Sequence, residues 1–199
     1  MRSFLIRAKR LFMSISRAHI TAVAVSMFVA LPVHASDSKG NEVDAAWAKF
    51  VASPSGANAE AAARLLDDGQ RLTSSVEDLS ILDSEVQAGK SEAIHLAFAI
   101  NAAYGAHFAE EAGVVAGHGI RSNPQAFLKF LDLYRGKIPS VGAVCANFGE
   151  AFVDQPEKHA AEAKARVAIL SKAKGESPKE PYFECLRSLQ DLEGPETSH

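Results

Sequence analysis

Ser91-Glu92-Ala93-Ile94-His95-Leu96-Ala97-Phe98-Ala99-Ile100-Asn101-Ala102-Ala103-Tyr104 decides how the rest of this chain is read. Wound as a helix, it places Ile94, Leu96, Phe98, Ile100 and Tyr104 on nearly every side, so no face is reserved for water. A helix of that kind has to be covered all round by others. The stretch therefore predicts a helical protein with Ser91–Tyr104 at the centre of its core.

The flanking sequence supplies the covering helices. Upstream, Trp47, Phe50 and Val51 at i, i+3, i+4 spacing predict a helix from Asp44 to Ala52, stopped by Ser53-Pro54-Ser55-Gly56. An alanine-rich helix is predicted from Asn58 to Leu72. A third runs from Ser75 to Gln87, with Ser75 and Asp78 forming a near capping box and Gly89 ending it. Downstream, an alanine-rich segment continues to Val115, where Gly117-His118-Gly119 loosens the backbone. Asn123 followed by Pro124 opens a helix with Phe127, Phe130, Leu131 and Tyr134 on one face, ended by Gly136. Pro139 opens another that carries Cys145, Phe148 and Phe152. Asp154 with Pro156 starts a long helix closed by Lys172 and Lys174, as the helix dipole favours. Beyond Pro178 and Pro181 a last helix holds Phe183, Cys185, Leu186 and Leu189.

No stretch alternates as a strand would. The turns near Gly56, Gly89, Asn123 and Gln155 recur about every 33 residues, the spacing of stacked helical hairpins. The fold class expected is all-α, built as tandem antiparallel αα-hairpins in a short helical-repeat-like array, with a compact multi-helix bundle as the alternative. The Trp, Leu-Gly, Tyr pattern of tetratricopeptide repeats and the Thr-Pro-Leu-His of ankyrin repeats are both missing from the sequence, so no family is assigned.

The first 35 residues read as an address. Arg2, Arg7, Lys9, Arg10 and Arg17 precede the apolar run Ile20–Val33, and Val33-His34-Ala35 offers small residues to a signal peptidase. The run is about 14 residues, short of the roughly 20 that span a bilayer as a helix. We expect residues 1–35 to be a signal peptide cleaved between Ala35 and Ser36, leaving no stable membrane anchor. Residues 36–42 then form a flexible N-terminus, 43–193 a single helical domain, and 194–199 a flexible C-terminal tail. The location expected is periplasmic or secreted, by a bacterial route.

Losing the leader changes the charge. Of 21 Lys and Arg, five leave and 16 remain against 24 Asp and Glu, so the formal charge moves from −3 to about −8. Phosphate binding depends on clustered cations, and none is left after residue 35, which argues against nucleic acid as a partner. In an oxidising compartment Cys145 and Cys185 read as one disulfide.

Candidate chemistry is sparse. Glu92-Ala93-Ile94-His95 is a Glu-x-x-His, the spacing by which a helix aims a carboxylate and an imidazole at one metal. A di-iron site needs a second such motif, and only His107 with Glu110 and Glu111, in reversed order, is near. His107 and Glu111, one turn apart, form a second candidate pair for a metal or for acid and base work, as do His107 and His118. Against these, Glu92 suits the first turn of a helix, and His95 on an apolar helix reads as hydrogen-bonded to a backbone carbonyl. His159 reads as solvent-exposed, and Glu162 with Arg166 as ordinary i, i+4 helix support. There is no Gly-x-Ser-x-Gly elbow and no phosphate-cradling glycine motif.

No metal, cofactor or catalytic residue is therefore assigned, with Glu92, His95, His107 and Glu111 the candidates if a metal binds. The function expected is an exported, non-enzymatic helical module that binds another protein or peptide, an immunity-type inhibitor of a periplasmic toxin being one form. The alternatives are a metal-dependent enzyme or metal-binding protein using the Glu-x-x-His motif, and a structural envelope component.

Overall fold

The computed structural model describes residues 39–73, 79–104, 106–175 and 179–193, all within the compact unit Ser36–His199. The expected signal peptide at 1–35 and tail at 194–199 lie outside these residues. Among the described residues the secondary structure is entirely helical. In order come α1 (Lys39–Ala52), α2 (Gly56–Asp67), α3 (Ser80–Gln87), α4 (Ser91–Ala103), α5 (Ala106–Ser122), α6 (Pro124–Tyr134), α7 (Val141–Ala146), α8 (Pro156–Ala173) and α9 (Glu180–Glu193). A single 3-10 turn, Glu150–Phe152, lies between α7 and α8.

Helix α4 is the centre, as its sequence requires. Every residue from Ala93 to Asn101 is buried, under α2, α3, α5 and α6. Helix α2 meets it with Ala59, Ala62, Ala63 and Leu66, and the three alanines allow the two axes to approach closely. From α6, Phe127 and Tyr134 meet Phe98, with ring centroids 5.6 and 5.9 Å away. Fully burying each large side chain of this kind is worth about 1.5–3 kcal/mol. Helix α1 packs on α2; α3 also packs on α5; α5 packs on α6, α7 and α8; α7 and α8 both pack on α9.

Several boundaries differ from the sequence reading, each for a local reason. Helix α1 starts at Lys39 rather than Asp44, so part of the expected flexible arm is helical. Helix α2 starts inside the supposed stop, because the Ser55 hydroxyl accepts from the Asn58 amide and caps it. It ends at Asp67 rather than Leu72. Gly69 adopts φ +85° there, and the Gly69 and Gln70 amides turn back onto the carbonyls of Leu66 and Leu65. The Ser75 cap lies outside the described residues; α3 is described from Ser80. The helix expected from Pro139 through Phe152 is two pieces, α7 capped by Ser140 and the 3-10 turn, separated at Asn147–Gly149.

The largest correction is α5, which runs unbroken through Gly117-His118-Gly119. Each glycine in a helix interior costs about 1 kcal/mol against alanine. What opposes that cost is proximity: a Cβ on Gly117 would stand 2.5 Å from the Val144 carbonyl oxygen and 3.0 Å from Arg166 Nη1. Gly117 is thus the point where α7 and the Arg166 side chain press against the α5 backbone.

Helices α7 and α9 are joined covalently by Cys145–Cys185, with Cα atoms 5.5 Å apart and both residues fully buried. The Asn123 side chain caps α6 through the Ala126 amide and also donates to the Gly89 carbonyl at 2.9 Å. That second bond ties the α5–α6 junction to the α3–α4 junction.

Candidate functional site

Three polar clusters stand out in this alanine- and leucine-rich fold. The first surrounds His95, 7% exposed on the α6 side of α4. Its Nδ1 lies 2.8 Å from Glu60 Oε2, and its Nε2 lies 3.1 Å from Asp67 Oδ2 and 3.0 Å from the Tyr134 hydroxyl. The Tyr134 hydroxyl donates to Asp67 Oδ1 at 2.5 Å, and Phe130 stacks on the imidazole at 4.6 Å. His95 is therefore bound by carboxylates and not by the backbone carbonyl expected from its apolar helix.

This cluster joins α2, α4 and α6 by side chains alone. The hydrogen bond from His95 holds the Glu60 carboxyl below its ordinary range, against the opposing effect of burial and with help from Arg64. Burial pushes the Tyr134 hydroxyl well above the usual phenol range, and its bond to Asp67 adds to this. A carboxyl whose folded value is depressed stabilises the fold above its unfolded value, near 4.5, and loses that contribution as pH falls through the folded value. We therefore expect Glu60→Gln to cost about 1–2 kcal/mol at pH 7, with the deficit shrinking below about pH 4.5. Urea unfolding of both proteins between pH 7 and pH 3 checks this, and a deficit independent of pH would contradict it.

The metal candidates separate in space. Both His95 ring nitrogens already face carboxylate or hydroxyl oxygens. The Glu92 carboxyl lies instead against Gly56, 3.1 Å from where a Cβ there would stand, so it sits at the start of α2 as well as in the first turn of its own helix. The His107 side chain lies outside the described residues, which leaves its pairings with Glu111 and His118 there too. Among the described residues no group of three or more His, Cys, Asp or Glu side chains could hold a metal ion.

The second cluster lines a groove of about 480 Å³ between α3, α5 and the turn after α7. Its floor is Leu79, Val114 and Val115. Its rim carries Asp83, Glu110, Glu111 and Glu150, together with Val153, which is 76% exposed. Among the described residues no lysine or arginine lines it. His118 stands at one end with Nδ1 2.5 Å from Asp83 Oδ1, and Asp83 also accepts from Gln87 at 2.7 Å. At the other end Asn147 donates to Glu110 at 3.3 Å while its own side-chain oxygen accepts from the Gly149 amide. Among the described residues no lysine or arginine pairs with Glu110, Glu111 or Glu150.

The third cluster is centred on Glu162. It accepts from Arg121 Nε and from Arg166 Nε, each at 2.9 Å, and Arg166 Nη1 continues to the Cys145 carbonyl at 2.9 Å. Arg166 is 1% exposed and its guanidinium covers the Phe148 ring at 4.4 Å. The i, i+4 pair read as ordinary helix support is thus a connection from α8 to α5 and α7, with Arg166 buried. Burial alone would raise the Glu162 carboxyl, but the two arginines outweigh it and hold the carboxyl below its ordinary range. Nor is His159 simply exposed: its ring lies 4.6 Å from that of Phe148.

Sequence reading missed Glu60, Asp67, Tyr134, Asp83 and Glu162 as members of these clusters. One usable signal existed, since Glu60 and Asp67 are seven residues apart and share a face of α2 over two turns. Asp83 and Gln87, one turn apart, offered only an ordinary helix pair. Among the described residues no helix is long and apolar enough to cross a membrane. Compared with known proteins, the chain matches no family model, no curated protein and no solved structure.

Proposed function

We propose that this chain is an exported, non-enzymatic binding protein that holds a basic segment of a partner protein or peptide in the groove beside His118. The observation that carries the reading is the groove's composition: four carboxylates on the rim, no lysine or arginine among the described lining residues, and an apolar floor. Such a surface attracts lysine and arginine over distance and keeps apolar side chains once they arrive.

The rest of the chain fits this use. Removal of the leader would leave about −8 of formal charge, which steers a cationic partner toward any acidic face. A buried disulfide suits an oxidising compartment. The helices pack in two series, α2 with α4 and α6, and α3 with α5, α7 and α9, which favours reading them as tandem αα-hairpins. An inhibitor that neutralises a basic toxic enzyme after export is the most specific form of the proposal.

The test is a titration of the isotope-labelled protein with the peptide acetyl-Lys-Val-Lys-Leu-Arg-amide, followed by backbone amide shifts. Saturable shifts are expected at Asp83, Glu111, Val115 and Glu150. They should weaken as salt rises, because the Debye length shrinks from about 30 Å at 0.01 M to about 10 Å at 0.1 M. Glu110→Lys with Glu111→Lys should reduce affinity at least about tenfold. Equal shifts with the Glu-Val-Glu-Leu-Glu counterpart, or none with the basic peptide, would defeat the proposal.

A further inference from the structure

His118 also borders a second concavity, of about 380 Å³, with different chemistry. Arg121, Glu162 and Arg166 line it together with Ser122, Phe148 and Phe152. Two guanidinium groups face a single carboxylate, so the cluster carries one positive charge in excess. Glu162 is occupied, since it accepts from both arginines.

The arginines are not used up. Arg121 bonds Glu162 through Nε and Nη2, and Arg166 bonds through Nε to Glu162 and through Nη1 to Cys145. Among the described residues no hydrogen bond uses Arg121 Nη1 or Arg166 Nη2. Glu162 neutralises one of the two guanidinium charges, and the remaining charge, with Arg121 Nη1 and Arg166 Nη2 left as donors, favours an anion that brings hydrogen-bond acceptors. The walls add a second requirement. The Phe148 and Phe152 rings meet edge to face at 5.5 Å and give the cavity an aromatic side.

We infer that this cavity binds a small organic monoanion, a carboxylate joined to an apolar or aromatic body. The carboxylate sits between Arg121 and Arg166, and its apolar part lies against Phe148 and Phe152. One excess positive charge selects a monoanion. The volume is near the lower end of the 300–1,000 Å³ typical of ligand cavities, which suits a molecule of about ten non-hydrogen atoms. Apart from His118, which borders both, this site uses other residues than the acidic groove does, and it stands whether or not a basic peptide binds there.

Phenylacetate is the probe, added to the intact protein at low ionic strength while the arginine Nε–H resonances and the Ser122 amide are followed. Saturable shifts with a dissociation constant on the order of 1 mM are expected, the range reached by a ligand of that size. 2-Phenylethanol, which keeps the ring and lacks the charge, should produce no saturable shift. Acetate, which keeps the charge and lacks the ring, should bind at least about fivefold more weakly. Arg121→Gln should weaken phenylacetate about tenfold with little change in melting temperature, because the Arg121 side chain is 52% exposed and Glu162 retains Arg166. Linear, unsaturated shifts with phenylacetate, equal binding of 2-phenylethanol, or unchanged affinity in Arg121→Gln would each overturn the inference.

Discussion

Replacing Arg166 with alanine is expected to destabilise the protein by about 3–5 kcal/mol, the cost of breaking a buried ion pair by removing one partner. The guanidinium makes three contacts that alanine cannot: a bond to Glu162 within α8, a bond to the Cys145 carbonyl in α7, and stacking on Phe148. Its loss leaves the Cys145 carbonyl without that donor and opens a void beneath Gly117, where Arg166 Nη1 now presses on α5. Glu162 is not stranded, since Arg121 still reaches it, which places the expected cost nearer the lower end of the range. Arg166→Met separates the causes. Methionine refills much of the volume without the charge, so it should recover a third or more of the loss if packing dominates and little if the hydrogen bonds do. Urea unfolding at pH 7 reads both variants, and a loss below about 1 kcal/mol for the alanine would show Arg166 to be dispensable.

Opening the Cys145–Cys185 bond should have an effect of similar size by another route. The bond closes a loop of 40 residues, and in the chain-entropy model such a loop is worth about 4 kcal/mol, mainly by restricting the unfolded chain. For a domain of this size that is roughly 10 °C in melting temperature. Cys145→Ser and Cys185→Ser should each show it, with far-ultraviolet circular dichroism little changed at 25 °C. Helix content should survive because α4 keeps its cover of α2, α3, α5 and α6, none of which contains a cysteine. Without reductant the parent protein should resist thiol labelling at both positions. Free labelling, or a melting shift under about 2 °C on substitution, would refute the role given to the bond.

The legible parts of the fold were those encoded locally. Ala93–Asn101 announces a helix covered on all sides because its apolar residues repeat with no polar face. Asn123-Pro124 announces α6 because cap and proline act within one turn. What could not be read depends on partners far along the chain. Gly117 reads as a loosened backbone until Val144, 27 residues later, is found against it. Arg166 reads as ordinary helix support because Glu162 is one turn away, and only the position of α7 reveals that it is buried. The partners of His95 lie 28 to 39 residues distant on two other helices, so nothing in its own helix distinguishes a carboxylate partner from a carbonyl. The groove beside His118 was beyond reach for the same reason, since its carboxylates come from α3, α5 and the turn after α7.

Helix α4 also has a consequence for the chain before it folds and after it is damaged. From Ile94 to Ile100 only His95 interrupts seven residues of aliphatic, aromatic and alanine side chains, and the segment contains no proline, glycine or formal charge. Short uncharged apolar windows without proline are the ones that associate between chains when exposed. The segment that organises the folded protein is thus also an aggregation hazard, held in check by the helices packed over it. Any lesion that lifts α2 or α5 should be followed by precipitation rather than by clean, reversible unfolding.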